Sequence, residues 1–395
     1  MLSFFSDMAS GIIILTGAGA LVIPAEHQSR SVYIDTGGES PSGSSISTYS
    51  LRSPEADSAV FMPTVWARNI QLRICGFTLS CSATEREGKN MIVYREFSSL
   101  TEDLGFSGKA LYSLSNKIHR HYKKVEIPKA DGSVRSLSVP DDFLKAVQRR
   151  IADRLLSMEE ISPYAIAYRP GGSPLKNARP HIAKNTVLKL DITCFFDHIT
   201  YFLVKEKAFP KERYSERNRI LLTMLCIYND ALPQGAPTSP VISNIIMKDF
   251  DNAVGRWCRE RRIVYTRYCD DMTFSGDFDV CEVKNFVSGE LRRMGFFLNS
   301  KKTTAVRRGQ RHTVTGIVVN EKPSISANYK AKLRQELYYI MKFGINSHLE
   351  KCGIDIPAEK YLQKLLGRAN YILSVEPDNK KVKEYKGWLT AQLKK

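Results

Sequence analysis

The tetrapeptide Tyr268-Cys269-Asp270-Asp271 constrains this chain more than any other feature of its sequence. It lies between Arg262-Ile263-Val264-Tyr265-Thr266-Arg267 and Met272-Thr273-Phe274-Ser275. Both flanks are rich in β-branched and aromatic residues and predict β-strands. A hairpin whose turn carries two aspartates presents paired hard oxygen ligands at one point, and Mg²⁺ takes such ligands readily. Without a cation, two adjacent like charges are costly. Taken alone, the motif also reads as a solvated acidic turn.

A third carboxylate decides between these readings. Thr186-Val187-Leu188-Lys189-Leu190-Asp191-Ile192 predicts a buried strand with an aspartate near its end, followed by Cys194-Phe195-Phe196. Leu232-Pro233-Gln234-Gly235-Ala236-Pro237-Thr238-Ser239-Pro240 lies between the two acidic elements. Three carboxylates on neighbouring strands suit a pair of metal ions, one activating an attacking hydroxyl and the other stabilising a leaving oxygen. The chemistry is phosphoryl transfer, in which positioning and charge neutralisation do nearly all the catalysis.

In order, Asp191, then Gln234-Gly235 with Ser239-Pro240, then Tyr268-Cys269-Asp270-Asp271 resemble motifs A, B and C of reverse transcriptases. Gly295-Phe296-Phe297-Leu298-Asn299-Ser300-Lys301-Lys302-Thr303 resembles motif D, and Val314-Thr315-Gly316 begins a further hairpin. The likeness runs from about residue 95 to 390. It implies an α+β right-hand polymerase with fingers, a palm of antiparallel sheet packed on helices, and a helical thumb. Fingers and palm would occupy residues 91–325 and the thumb 326–395. Asn177-Ala178-Arg179-Pro180-His181 and Val314-Thr315-Gly316 narrow the resemblance to bacterial retron reverse transcriptases, relatives of the group II intron enzymes. The stretches Ile127 to Arg135, Leu144 to Ile151 and Gly367 to Pro377 fit the same lineage.

That resemblance implies an RNA-directed DNA polymerase that copies part of a cognate structured non-coding RNA from its own operon. Priming from the 2′-hydroxyl of an internal guanosine would leave a branched RNA–DNA product, msDNA. It further implies two Mg²⁺ ions, deoxynucleoside triphosphates, an antiphage defence role and an operon-encoded effector protein as partner. Another bacterial enzyme, intron-like or defence-associated, with a different template or primer is the alternative.

Roles follow residue by residue. Asp191, Asp270 and Asp271 are the expected metal ligands, the first two bridging both ions and Asp271 supporting them. Phe196, five residues past Asp191, occupies the place of the aromatic gate that excludes a ribonucleotide 2′-hydroxyl. Its other reading is a core phenylalanine like Phe195. Gln234 is expected against the nucleotide sugar or template, with Gly235 letting the backbone approach closely. Pro240 suits the first turn of a helix and Ser239 its cap. Tyr268 would pack beside the primer terminus or simply serve as a strand aromatic. Lys129 and Arg135 flank a predicted turn at Ala130-Asp131-Gly132-Ser133, from which they would bind the triphosphate. Lys302, or its neighbour Lys301, would protonate the departing pyrophosphate as general acid. Asn177 and His181 are RNA or structural contacts, and Val314, Thr315 and Gly316 either hold the RNA or form an ordinary hairpin.

The charge balance agrees. Net charge is +17, but residues 1–90 hold six Lys and Arg against eight Asp and Glu. The remainder carries 52 against 33, net +19. The basic excess thus belongs to the polymerase-like region, suits a polyanionic partner, and predicts binding that weakens steeply with salt. Eight cysteines without a Cys-x-x-Cys pair argue against zinc or a disulfide framework and for reduced thiols in a cytoplasm. Cys269 is assigned no chemistry. In the thumb, Leu333, Leu337, Ile340 and Met341, then Tyr361, Leu362, Leu365 and Leu366, recur at helical spacing with Lys and Arg between them.

Residues 1–90 form an atypical leader. Gly37 to Ser45 has linker composition. The uncharged stretch Met8 to Ala25 lacks a preceding Lys or Arg for a signal peptide and is marginal and glycine-broken as a membrane span. No membrane partner is expected. One reading places the natural start at Met91, with the leader as translated upstream DNA; the rival is a short accessory extension.

Overall fold

The structure, a computed structural model, describes residues 93–128, 132 and 134–394 in full, and strand backbone within residues 3–81. The chain divides into two units, Met1–Met91 and Ile92–Lys395. In the first, β1 (Ser3–Asp7), β2 (Gly11–Thr16) and β3 (Gly19–Ile23) form an antiparallel meander. Strands β4 (Val32–Asp35), β5 (Thr48–Tyr49), β6 (Ile70–Ile74) and β7 (Phe77–Cys81) form a sheet in the order β5-β4-β6-β7. The linker-like stretch Gly37 to Ser45 lies outside the described residues.

The second unit begins with α1 (Phe97–Leu104) and α2 (Gly108–Asn116), then a hairpin of β8 (Tyr122–Pro128) and β9 (Val134–Pro140). Helix α3 (Asp142–Arg150) follows, capped by Asp141, whose carboxylate accepts from the Leu144 amide at 2.9 Å. After α4 (Pro174–Ala178) comes β10 (Thr186–Asp191), then α5 (Tyr201–Ala208), α6 (Glu216–Cys226), α7 (Ser239–Ile246) and α8 (Lys248–Glu260). The hairpin β11 (Val264–Tyr268) and β12 (Asp271–Gly276), α9 (Val280–Arg293) and β13 (Thr304–Arg307) complete a sheet ordered β11-β12-β10-β13. Every pairing in it is antiparallel.

This sheet is the palm. Val187, Leu188 and Leu190 are buried because β10 is packed on both faces, Leu188 and Leu190 in the main core and Val187 in a second one. Helices α8 and α9 lock together through Trp257 and Phe286, stacked at 4.3 Å. A two-residue loop, Cys269-Asp270, joins Tyr268 to its cross-strand partner Asp271. The hairpin expected around the acidic pair is therefore present.

A second core lies under the C-terminal helices α10 (Ala327–Phe343), α11 (Ile345–Lys351), α12 (Ala358–Val375) and α13 (Lys380–Gln392). It includes Val314, Ile317 and Ile325 from a small sheet of β14 (Thr313–Val314), β15 (Ile317–Val318) and β16 (Ser324–Ile325). A division at 325/326 would cut through this core, so the small sheet packs with the thumb. Leu333, Leu337, Ile340, Tyr361, Leu362 and Leu365 are buried as their spacing predicts. Met341 departs from the expectation and is 44% exposed. It follows Ile340 directly, and adjacent helical positions point about 100° apart.

Among the described residues, no helix is long and apolar enough to cross a membrane.

Candidate active site

Asp191 is the last residue of β10 and stands directly opposite Asp271, the first residue of β12. Asp270 precedes Asp271 in the turn, so the backbone gathers three carboxylates at one end of the sheet. The Ile192 amide donates to the Asp270 carbonyl at 3.2 Å, tying the turn to the end of β10. Asp191 is buried. One of its oxygens, Oδ2, accepts from Lys302 Nζ at 2.9 Å; the other, Oδ1, is buried without a hydrogen-bond partner.

The electrostatics of the cluster favour a bound cation. Although its carboxylate reaches solvent, the pKa of Asp271 is pushed up to about 6, because the surrounding walls displace water and Asp270 and Asp191 add their negative charge. Lys302 is pushed the other way, its pKa raised first by the hydrogen bond to Asp191 and then by the charges of all three aspartates. A hard divalent metal fits the donor set: oxygen ligands, excess negative charge, and an orphaned carboxylate oxygen. Among the described residues no three acidic, histidine or cysteine side chains converge into a ready metal cluster. The Lys302 ammonium instead neutralises Asp191.

The loop before α7 crosses to the fingers hairpin. The Ser138 amide of β9 donates to the Gln234 carbonyl at 2.9 Å. Gly235 has φ +127°, and a Cβ there would lie 2.8 Å from the Ser138 carbonyl oxygen. Phe196 is half-buried, its ring 5.4 Å from that of Phe195, which is buried against Phe296.

Residues 127–319 match the family model described as reverse transcriptase (RNA-dependent DNA polymerase). The retron Ec86 reverse transcriptase of Escherichia coli is 30% identical over 249 residues, covering 62% of this chain and 72% of that protein. For the retron Ec83 enzyme of the same species the identity is 33%, over 55% of this chain and 75% of that protein. The chain belongs to the bacterial retron reverse transcriptases. These are RNA-directed DNA polymerases, and the fingers, palm and thumb described above are those of a right-hand polymerase. The retron Mx65 enzyme of Myxococcus xanthus is 35% identical over 55% of this chain, which spans only 56% of its length.

Within that retron frame, several expected contacts take a different form. His181 has no exposed surface; its ring bonds Ser275 Oγ at 2.7 Å and Thr266 Oγ1 at 2.8 Å. Burial, with a smaller contribution from the Lys184 charge, lowers its pKa to about 3. Asn177 is also buried. Of the two readings, RNA or structural contact, burial favours the structural one for both, with the Asn177 amide nitrogen and oxygen left without a hydrogen-bond partner. Val314 is likewise core. Thr315 and Gly316 form a two-residue turn with φ +45° and +81°, the signs of a type I′ hairpin. The Thr315 hydroxyl donates to the Pro174 carbonyl at 3.1 Å, which favours the ordinary-hairpin reading of this element.

Two corrections concern the loop before α7. Ser239 is inside the helix rather than capping it, and its hydroxyl donates to the Pro233 carbonyl at 2.7 Å. The close approach that requires Gly235 is to the fingers backbone. Pro240 does lie in the first turn of α7. Arg135 is exposed on β9, while Lys129 lies outside the described residues. Tyr268 is partly exposed at the end of β11. Of the lysine doublet, Lys302 reaches Asp191, whereas the Lys301 backbone amide bonds Asn299 Oδ1 at 3.1 Å.

Three residues around the turn escaped the sequence reading. Arg267 and Asp251 form a fully buried ion pair, and Tyr168, at φ +57°, donates its hydroxyl to Cys269 Sγ at 3.2 Å. Burial pushes the Cys269 thiol up to about 12, which leaves it protonated and poorly nucleophilic. No spacing rule links Arg267 to a carboxylate sixteen positions earlier on another element.

Proposed function

We propose that this protein reverse-transcribes part of a cognate structured non-coding RNA, starting from the 2′-hydroxyl of an internal guanosine, to give branched RNA–DNA. Deoxynucleoside triphosphates are its substrates, two Mg²⁺ ions its cofactors, and the cytoplasm its setting. An operon-encoded effector and a role in antiphage defence belong to the same proposal. The observation that carries the chemistry is the cross-strand pair Asp191–Asp271 with Asp270 in the adjoining turn. Bound at these carboxylates, the metal pair supplies activation of the attacking hydroxyl and charge neutralisation at the departing pyrophosphate.

The chain's own residues do the rest. Lys302 holds a proton beside Asp191 and delivers it to the pyrophosphate as general acid. The half-buried ring of Phe196 crowds the sugar 2′ position and selects deoxynucleotides by exclusion. Gln234, with its carbonyl fixed by the Ser138 amide, lines the nucleotide or template side, and Arg135 with Lys129 meets the triphosphate. Tyr268 supports the primer terminus. The hairpin turn at Thr315-Gly316, in the small sheet that packs with the thumb, meets the RNA through its backbone.

Extension of a DNA primer on an RNA template with Mg²⁺ and deoxynucleotides tests the activity; an Asp270→Asn protein serves as the control and should be inactive. Sequencing of nucleic acid that co-purifies with the protein tests the template and primer. A branched RNA–DNA of defined sequence is expected, and random or protein-primed DNA would overturn the retron reading.

A further inference from the structure

Beneath the acidic turn lies a guanidinium with no exposed surface. Arg267 Nε lies 2.9 and 3.1 Å from the two carboxylate oxygens of Asp251 on α8, and Nη2 is 2.7 Å from Oδ2. The same Nη2 is 3.2 Å from Asn244 Oδ1 on α7. Tyr265 completes the Asp251 side, its hydroxyl donating to Oδ1 at 2.8 Å. The remaining arm, Nη1, donates to the Cys269 carbonyl at 2.8 Å.

A buried ion pair is weak evidence of stabilisation, since apolar residues of similar volume often serve as well. The pair therefore calls for another reason, and the bond to Cys269 supplies one. That carbonyl belongs to the peptide joining Cys269 to Asp270. Cys269 has φ +63°, a region that residues with a Cβ occupy only when their surroundings over-determine it. Three contacts do so: Arg267 on the Cys269 carbonyl, the Tyr168 hydroxyl on its sulfur, and the Ile192 amide on the Asp270 carbonyl.

We propose that Arg267 is a positioning residue for catalysis: it fixes the Cys269–Asp270 peptide so that the Asp270 carboxylate stands beside Asp191 and Asp271. This rests on the polymerase reading given above. Asp251 and Asn244 aim the guanidinium, and Asn244 also donates to the Ala167 carbonyl at 2.9 Å. Through that side chain, α7, which follows the Gln234-Gly235 loop, shares one hydrogen-bond network with the acidic turn. A lysine cannot replace the arginine, because a single ammonium lacks the fork needed to reach Asp251, Asn244 and Cys269 together.

The test compares Arg267→Lys with an apolar replacement of the network, Arg267→Met with Asp251→Leu and Tyr265→Phe. Mn²⁺ binding to the nucleic-acid-free protein is followed by electron paramagnetic resonance, alongside primer extension and thermal unfolding. Mn²⁺ affinity should fall about tenfold or more in both. The kcat should fall about a hundredfold, with the deoxynucleotide KM within about threefold of wild type. A folded protein of either kind with wild-type Mn²⁺ affinity and kcat overturns the proposal. Should neither fold, Asn244→Ala keeps the Asp251 ion pair but removes one of the groups that aim the guanidinium, and unchanged Mn²⁺ affinity there overturns it equally. If the wild-type protein itself fails to extend primers, the polymerase reading falls, while the Mn²⁺ comparison still decides whether Arg267 sets the turn.

Discussion

His181 offers the sharpest physical test, because one buried ring joins both strands of the acidic hairpin and is held neutral. Its two nitrogens bond Thr266 on β11 and Ser275 on β12; in a neutral imidazole one donates and the other accepts, and hydroxyls can answer either role. At pH values above 6.5, His181 is neutral in both folded and unfolded states. On acidification the unfolded chain takes up a proton near 6.5, while the folded protein resists until about 3. The unfolded state binds more protons across that window, so stability is lost as pH falls through it. At 1.36 kcal/mol per unit, the loss is about 2 kcal/mol by pH 5 and about 5 kcal/mol by pH 3. His181→Gln keeps hydrogen-bonding capacity but does not titrate. Urea unfolding followed by circular dichroism, at pH 7.5 and 5, should show the advantage of wild type over His181→Gln shrinking by about 2 kcal/mol. RNA affinity at pH 7.5 should be unchanged in the folded variant. An advantage that stays constant with pH would refute the argument that burial keeps the ring neutral, and a selective loss of RNA binding would restore the contact role.

Phe196→Ala should raise ribonucleotide incorporation during primer extension, with deoxynucleotide use largely kept; unchanged discrimination would remove the steric gate. Lys302→Ala should slow single-nucleotide incorporation about a hundredfold, measured by rapid quench, whereas Lys301→Ala should leave it near wild type; equal effects would unseat Lys302 as the acid. Gly235→Ala places a Cβ against the Ser138 carbonyl at a φ that disfavours it, and should cost about 2 kcal/mol or more in thermal or urea unfolding. A neutral result would mean that the loop before α7 does not depend on the fingers hairpin.

Much of the palm was legible because its signals are local. Alternation and β-branching around Tyr268-Cys269-Asp270-Asp271 marked a hairpin, and the strand ending at Asp191 announced itself by an unbroken apolar run. Helical spacing gave most of the thumb core, failing at Met341, where adjacency to Ile340 was mistaken for a shared face. The loop residues were harder. Ser239 and Pro240 look like a cap and first turn in any sequence, but the Pro233 carbonyl captured the hydroxyl instead. Gly235 was legible as a close approach, yet the partner, a carbonyl nearly a hundred residues earlier, was not.

Residue type and order by themselves marked the family, through three acidic groups, the aromatic at 196 and the lysine doublet in the order of its motifs. Those are properties of covalent structure and short-range periodicity. Which groups are buried was decided only by tertiary packing. It buried Asn177, His181 and Val314, set Lys302 rather than Lys301 beside Asp191, and brought Arg267 under the turn. Each outcome depends on distant segments meeting in a water-poor interior, where an unpaired polar group is costly and a paired one can hold a strained peptide in place.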